Sequence, residues 1–195
     1  MDRTSAQGTL SGKETGELAI KDKGYARPEL LVDTNWMQDR LLEPSIRLID
    51  CGFWESYSRV HIPGAVGIKR DHYFKDPTTG NKFIDSPEQF AEEMERLGVG
   101  DDTQVVVYDD FGSLWATRLW WALKYYGHEN VMVLDGGWRK WLRERRPMSD
   151  AKPEVASVKF TSKPNPAVIA TARPAPSDPV NVAARTRRSS RTPVT

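Results

Sequence analysis

The chain has 195 residues, enough for one well-packed domain and too few for two comfortable ones. Hydrophobic residues at 38% and aromatics at 10% give a globular composition, and a net charge of +1 argues against electrostatic capture by nucleic acid or an anionic membrane. A single cysteine, Cys51, excludes an internal disulfide and any metal site built on several thiolates.

Met1 to Ile20 is polar and lacks the apolar core of a signal peptide, and no stretch approaches the ~20 apolar residues of a membrane helix. A cytoplasmic protein is the expectation. Residues 1 to 24 read as a flexible segment, residues 25–146 as one domain, 147–170 as a linker-like stretch and 171–195 as a disordered basic tail.

Leu30 to Val32 reads as a short strand, after which Asp33 caps a short helix through Leu42. Arg47 to Cys51 and Ala65 to Ile68 are strand candidates. Ser86-Pro87-Glu88 opens a helix with a serine cap, proline at the first helical position and an acid in the first turn. Phe90, Met94 and Leu97 keep helical spacing, and Gly98 ends the helix. Gln104 to Tyr108 holds the β-branched run Val105-Val106-Val107, suited to a strand buried on both faces. Leu114 to Tyr126 is an aromatic helix closed by Gly127. Val131 to Leu134 is the next strand, and Asp135-Gly136-Gly137 turns into a helix from Trp138 to Glu144. Beyond Pro147 the pattern fades, with Val155 to Phe160 as one peripheral strand. Strands alternating with helices predict an α/β domain with a mainly parallel sheet.

Three segments carry a resemblance. Leu48-Ile49-Asp50-Cys51 is followed by Glu55, Tyr57 and then Val60-His61-Ile62-Pro63-Gly64-Ala65. Val105 to Tyr108 runs into Asp109-Asp110-Phe111-Gly112-Ser113-Leu114. Tyr126-Gly127-His128 precedes the strand from Val131 and the turn Asp135-Gly136-Gly137-Trp138, with Trp141 beyond. In this order and spacing over residues 30 to 145, they resemble the opening signature, active-site loop and closing pattern of rhodanese domains. The Trp-rich helix with Trp115, Trp120 and Trp121, and the long insertion Asp71 to Ile84, are most similar to the N-terminal half of tandem thiosulfate or 3-mercaptopyruvate sulfurtransferases.

The resemblance implies a three-layer α/β fold, its mainly parallel central sheet flanked by helices, and a loop in which backbone N–H groups converge on a persulfide-forming cysteine, acting on a small sulfur-containing anion with no cofactor. In this chain Asp109 stands at that position. A carboxylate cannot accept and pass on a sulfane sulfur, so no catalytic residue is assigned. The loop Asp109, Asp110, Phe111, Gly112, Ser113 and Leu114 is retained as the site, with Leu114 where active members often carry arginine or another polar residue. The chain is expected to be inactive alone, either as the non-catalytic half of a sulfurtransferase or as a stand-alone module that binds a partner or an anion.

Other readings of the residues are weaker. Cys51 reads as a buried, inert thiol, and His61 as a structural hydrogen-bonder in its turn. Asp109 and Asp110 suggest a paired cation site, but neighbours on an extended chain point to opposite sides, and no metal is expected. Arg118 and Arg139 read as solvated charge. The tryptophans of the long helix pack on the sheet or present a face to a second rhodanese domain. The last 25 residues hold five arginines and one aspartate. A natural basic tail and the product of an interrupted reading frame both stay open for it.

Overall fold

A computed structural model of the chain describes residues 18–70 and 84–169. Residues 1–17, the insertion from 71 to 83 and the tail from 170 lie outside the described residues. The chain divides into a unit ending at Asn165 and a second beginning at Pro166, of which the turn Pro166–Val168 is described.

The first unit is built on five parallel strands: β1 (Leu31–Val32), β2 (Ile46–Asp50), β3 (Val66–Gly67), β4 (Gln104–Tyr108) and β5 (Val131–Leu134). Their order is β1-β5-β4-β2-β3, which puts β4 at the centre. The helices are α1 (Thr34–Gln38), α2 (Trp54–Tyr57), α3 (Pro87–Arg96), α4 (Leu114–Tyr125) and α5 (Gly137–Arg143).

The central strand explains the layering. Side chains alternate across a strand, and all of Val105 to Tyr108 is buried. Val105 and Val107 pack with Phe90, Met94, Leu119 and Leu123 of α3 and α4. Val106 and Tyr108 pack on the other face with Met37 of α1 and Trp141 of α5. Two cores thus sandwich one sheet, the three layers that the resemblance implies.

Helix boundaries follow local chemistry. Asp33 Oδ1 accepts the Trp36 N–H at 2.7 Å at the head of α1. Ser86 and Gln89 form a reciprocal capping box at the head of α3. Helix α1 ends at Gln38 rather than at Leu42, because Leu42 is 84% exposed and offers no packing to extend it.

The peripheral strand expected at Val155 to Phe160 does not form. Side chains hold the end of the segment instead: Glu95 accepts the Phe160 N–H at 3.0 Å, and just beyond it Asp101 accepts that of Thr161 at 2.6 Å. Phe160 is buried beside Phe90.

The Gly136–Gly137 turn sets α5 against the end of β4. Gly137 has φ +52°, and a β-carbon there would lie 2.5 Å from the Asp109 carbonyl oxygen. That oxygen accepts the Trp138 N–H at 3.0 Å. Gly137→Ala should therefore cost more than about 2 kcal/mol, through both backbone strain and the forced retreat of the loop. Urea denaturation of the variant beside the unaltered chain measures it.

Candidate functional site

Parallel strands end on one side of the sheet, and ligands of open α/β sheets gather there. The segment Asp109 to Leu114 leaves β4 at that edge and enters α4. Gly112 and Ser113 both have φ 70°, a left-handed pair that curls the loop so that its N–H groups point inward. Glycine adopts that angle without strain, whereas Ser113 holds it against its β-carbon.

The Asp109 carboxylate fills the curl. Its Oδ1 accepts the N–H groups of Phe111 at 2.9 Å and Ser113 at 2.8 Å, and its Oδ2 those of Trp115 and Ala116, both at 2.8 Å. Asp109 is 2% exposed. Ser113, at the N-cap position of α4, makes no side-chain capping bond. Asp109 performs that task from the strand end, taking two N–H groups that the first helical turn leaves unpaired.

Asp110 points elsewhere. It lines a cavity of about 280 Å³ with Asp50, Gly52, Tyr57, Arg59 and Trp138. The expectation that neighbouring carboxylates diverge thus matches the geometry, and no group of three or more His, Cys, Asp or Glu suited to a metal occurs among the described residues. Phe111 and Leu114 are exposed, and Phe111 meets Phe53 edge to face with centroids 4.9 Å apart.

Asp50 is the site residue that sequence reasoning missed as chemistry. It was legible only as part of a signature, although its cross-strand register with Tyr108 places it level with the loop. Its Oδ1 accepts the Gly52 N–H at 2.7 Å. Burial pushes its carboxyl up to about 6, against the Gly52 N–H and the Tyr108 hydroxyl, which hold it down; the nearby Asp110 charge adds to the rise.

The remaining candidates have other surroundings. Cys51 is fully buried, and burial followed by the Asp50 and Asp109 charges pushes its thiol well up. His61 is buried with Nδ1 at 2.8 Å from the Tyr57 carbonyl and Nε2 at 3.1 Å from that of Ala151. Its backbone bridges Ser149, which pins the segment after Pro147. Arg118 lies over Trp121, and Arg139 is exposed on α5. Neither lines the Asp110 cavity.

The rhodanese-like domain family matches residues 33–144, more than half of the chain. The chain belongs to the rhodanese family. It is 43% identical over 133 residues to the sulfur carrier protein TtuD of Thermus thermophilus, covering 67% of this chain and 45% of that protein. It is 34% identical over 164 residues to human 3-mercaptopyruvate sulfurtransferase, covering 75% and 55%. Among solved structures it is similar to the Escherichia coli 3-mercaptopyruvate sulfurtransferase SseA, with TM-score 0.63, 30% identity, and 70% of this chain and 56% of that one covered. The rhodanese chain thus spans about half the length of these sulfurtransferase relatives. No helix among its described residues is long and apolar enough to cross a membrane.

Two outcomes test the electrostatics of this rhodanese loop. Asp109→Asn keeps the shape but offers one oxygen and an amino group to four N–H donors, so it should cost more than about 3 kcal/mol in urea denaturation. For Asp50, a folded-state value of about 6 against an ordinary 3.8 means that protonation favours the fold. That contribution is complete below the ordinary value and is lost as pH rises through about 6. Asp50→Asn should therefore gain on the unaltered chain by about 2 kcal/mol between pH 4 and pH 7. Paired urea titrations across that range read the difference.

Proposed function

We propose that this chain is the non-catalytic, N-terminal-type domain of a thiosulfate or 3-mercaptopyruvate sulfurtransferase, inactive by itself in sulfur transfer. The observation that carries the reading is the Asp109 carboxylate on its four backbone N–H groups. Sulfur transfer needs a thiolate that attacks the sulfane sulfur, breaks the donor's S–S or C–S bond and holds the sulfur as a persulfide. Converging N–H groups stabilise such an anion. Here the same kind of groups serve a carboxylate, whose oxygens are occupied and cannot hold a sulfane sulfur.

The half-length match to the sulfurtransferase relatives supports a parent protein with a second, catalytic rhodanese domain. Such a domain would pack on α4, whose Trp115, Trp120 and Trp121 are only partly buried against their own core. The second reading, a stand-alone binding module, is favoured by the exposed Phe53, Phe111 and Leu114 around the loop. A small sulfur-containing anion belongs to the first reading, as the parent's substrate, and no cofactor enters either. Near-neutral overall charge supports a protein that binds neither nucleic acid nor an anionic membrane surface.

The purified chain should form no thiocyanate from thiosulfate and cyanide, with or without Cys51→Ser. Asp109→Cys should install a reactive thiolate in the N–H cradle. Its attack on the sulfane sulfur of thiosulfate would expel sulfite with the electron pair of the broken S–S bond, leaving a persulfide that intact-mass spectrometry detects as one added sulfur. Turnover by the unaltered chain would overturn the reading, and turnover lost with Cys51→Ser would place the nucleophile at Cys51.

A further inference from the structure

The cavity between Asp50 and Asp110 has no part in the reading above. It opens at the carboxyl edge of the sheet, on the opposite side of the strand end from the Asp109 cradle. Its volume of about 280 Å³ falls just below the ≈ 300–1,000 Å³ of ordinary small-molecule pockets. That is room for one side chain, not for a large cofactor.

Its charge is uncompensated. Asp110 Oδ1 is buried and has no hydrogen-bond partner among the described residues. Around Gly52 the two acids converge, because a β-carbon there would lie 2.9 Å from Asp50 Oδ1 and 3.4 Å from Asp110 Oδ1. Arg59 is the one cation among the lining residues. Its Nε donates to the Glu55 carbonyl at 2.9 Å, which holds it along α2, and it forms no ion pair with either acid. A buried acceptor left unpaired costs about 1–3 kcal/mol, which an incoming N–H donor removes. Carboxylates with aromatic neighbours suit a cation, and Trp138 and Tyr57 supply the aromatic walls.

Exposed apolar residues flank the lining: Val60 belongs to it, Phe53 follows Gly52 in the chain and Phe111 follows Asp110. Phe53 is 46% exposed, Phe111 39% and Val60 37%, and the two phenylalanines brace each other edge to face. Residues that shed water around a desolvated charged pocket are the anatomy of a protein-binding hot spot. Free metal ions or small ammonium ions would gain nothing from such a rim.

We propose that this cavity receives a single projecting arginine or lysine side chain of a partner protein, with Phe53, Val60 and Phe111 closing over the apolar residues that flank it. The proposal deepens the reading of a non-catalytic domain and rests on it. Its test is binding, so its failure stays distinct from the thiocyanate assay.

The probe is acetyl-Leu-Arg-Leu-amide, titrated at pH 7.5 into the ¹⁵N-labelled full chain. The Gly52 amide and the Trp138 indole N–H should shift together, saturating at up to about 10 mM, the range in which a single-side-chain contact registers. Asp110→Asn should weaken binding at least fivefold, and so should Phe111→Ser, which keeps the acids and removes the rim. Should one variant fail to fold, the other carries the comparison. Equal affinity in the folded variants, equal affinity for acetyl-Leu-Glu-Leu-amide, or no shift at all would overturn the proposal. So would a Mg²⁺ titration that moves the same resonances at lower concentration, which would assign the pair to a metal ion.

Discussion

Four backbone N–H groups converge on one carboxylate at the end of the central strand, and the functional edge of the molecule is arranged around that contact. Asp109 holds Phe111 and Ser113 through one oxygen and Trp115 and Ala116 through the other. It thereby closes the loop and caps α4 in place of the Ser113 side chain, which makes no capping bond. Its own carbonyl takes the Trp138 N–H and sits against Gly137, so α5 is indexed to the same residue. Hydrogen bonds to a charged group are stronger than neutral ones. The left-handed Ser113 is the cost of this closure, and the aligned N–H groups offset it.

The same contact limits what the loop can do. An anion cradle that carries its own tethered anion has no vacancy for a sulfur oxyanion, and its occupant is not a nucleophile for sulfane sulfur. The preorganisation that would stabilise a thiolate here stabilises the fold. On the proposed non-catalytic reading, sulfur chemistry is separated from rhodanese architecture in this chain. The three-layer scaffold and its loop geometry do not require the cysteine, only an anion at the point of convergence.

Much of this was legible in the residues. The Val105 to Val107 run announced a strand buried on both faces, the Ser86-Pro87 pair marked the head of α3, and the divergence of Asp109 from Asp110 followed from the alternation of an extended chain. Features set by distant partners were not legible. Helix α1 stops short at Gln38, with Leu42 84% exposed, and Val155 to Phe160 stays out of the sheet, its end held by Glu95 at the Phe160 N–H and by Asp101 at that of Thr161 just beyond. The cavity was equally hidden, since Asp50 and Asp110 become neighbours only through the β2–β4 register that brings Asp50 level with Tyr108. Strand order, not local sequence, makes that pair.

The two acids of the cavity are not equivalent, and the difference separates structural need from what is left over. Asp50 is explained by the fold. It accepts the Gly52 N–H that starts the turn after β2, and the Tyr108 hydroxyl that supports it also accepts the Ile62 N–H at 3.2 Å. One chain of hydrogen bonds thus joins β2, β4 and the His-Ile-Pro-Gly turn, and it offsets the cost of burying the carboxyl. Asp110 has no such account. Its Oδ1 is buried without a hydrogen-bond partner among the described residues, on a loop whose closure is already secured by its neighbour. A fold selected for stability alone would place a small or apolar residue there, since replacing an unpaired buried acceptor removes a desolvation cost. An acid that the scaffold does not need, facing a cavity walled by Tyr57 and Trp138, is accounted for by a ligand that supplies the missing donor.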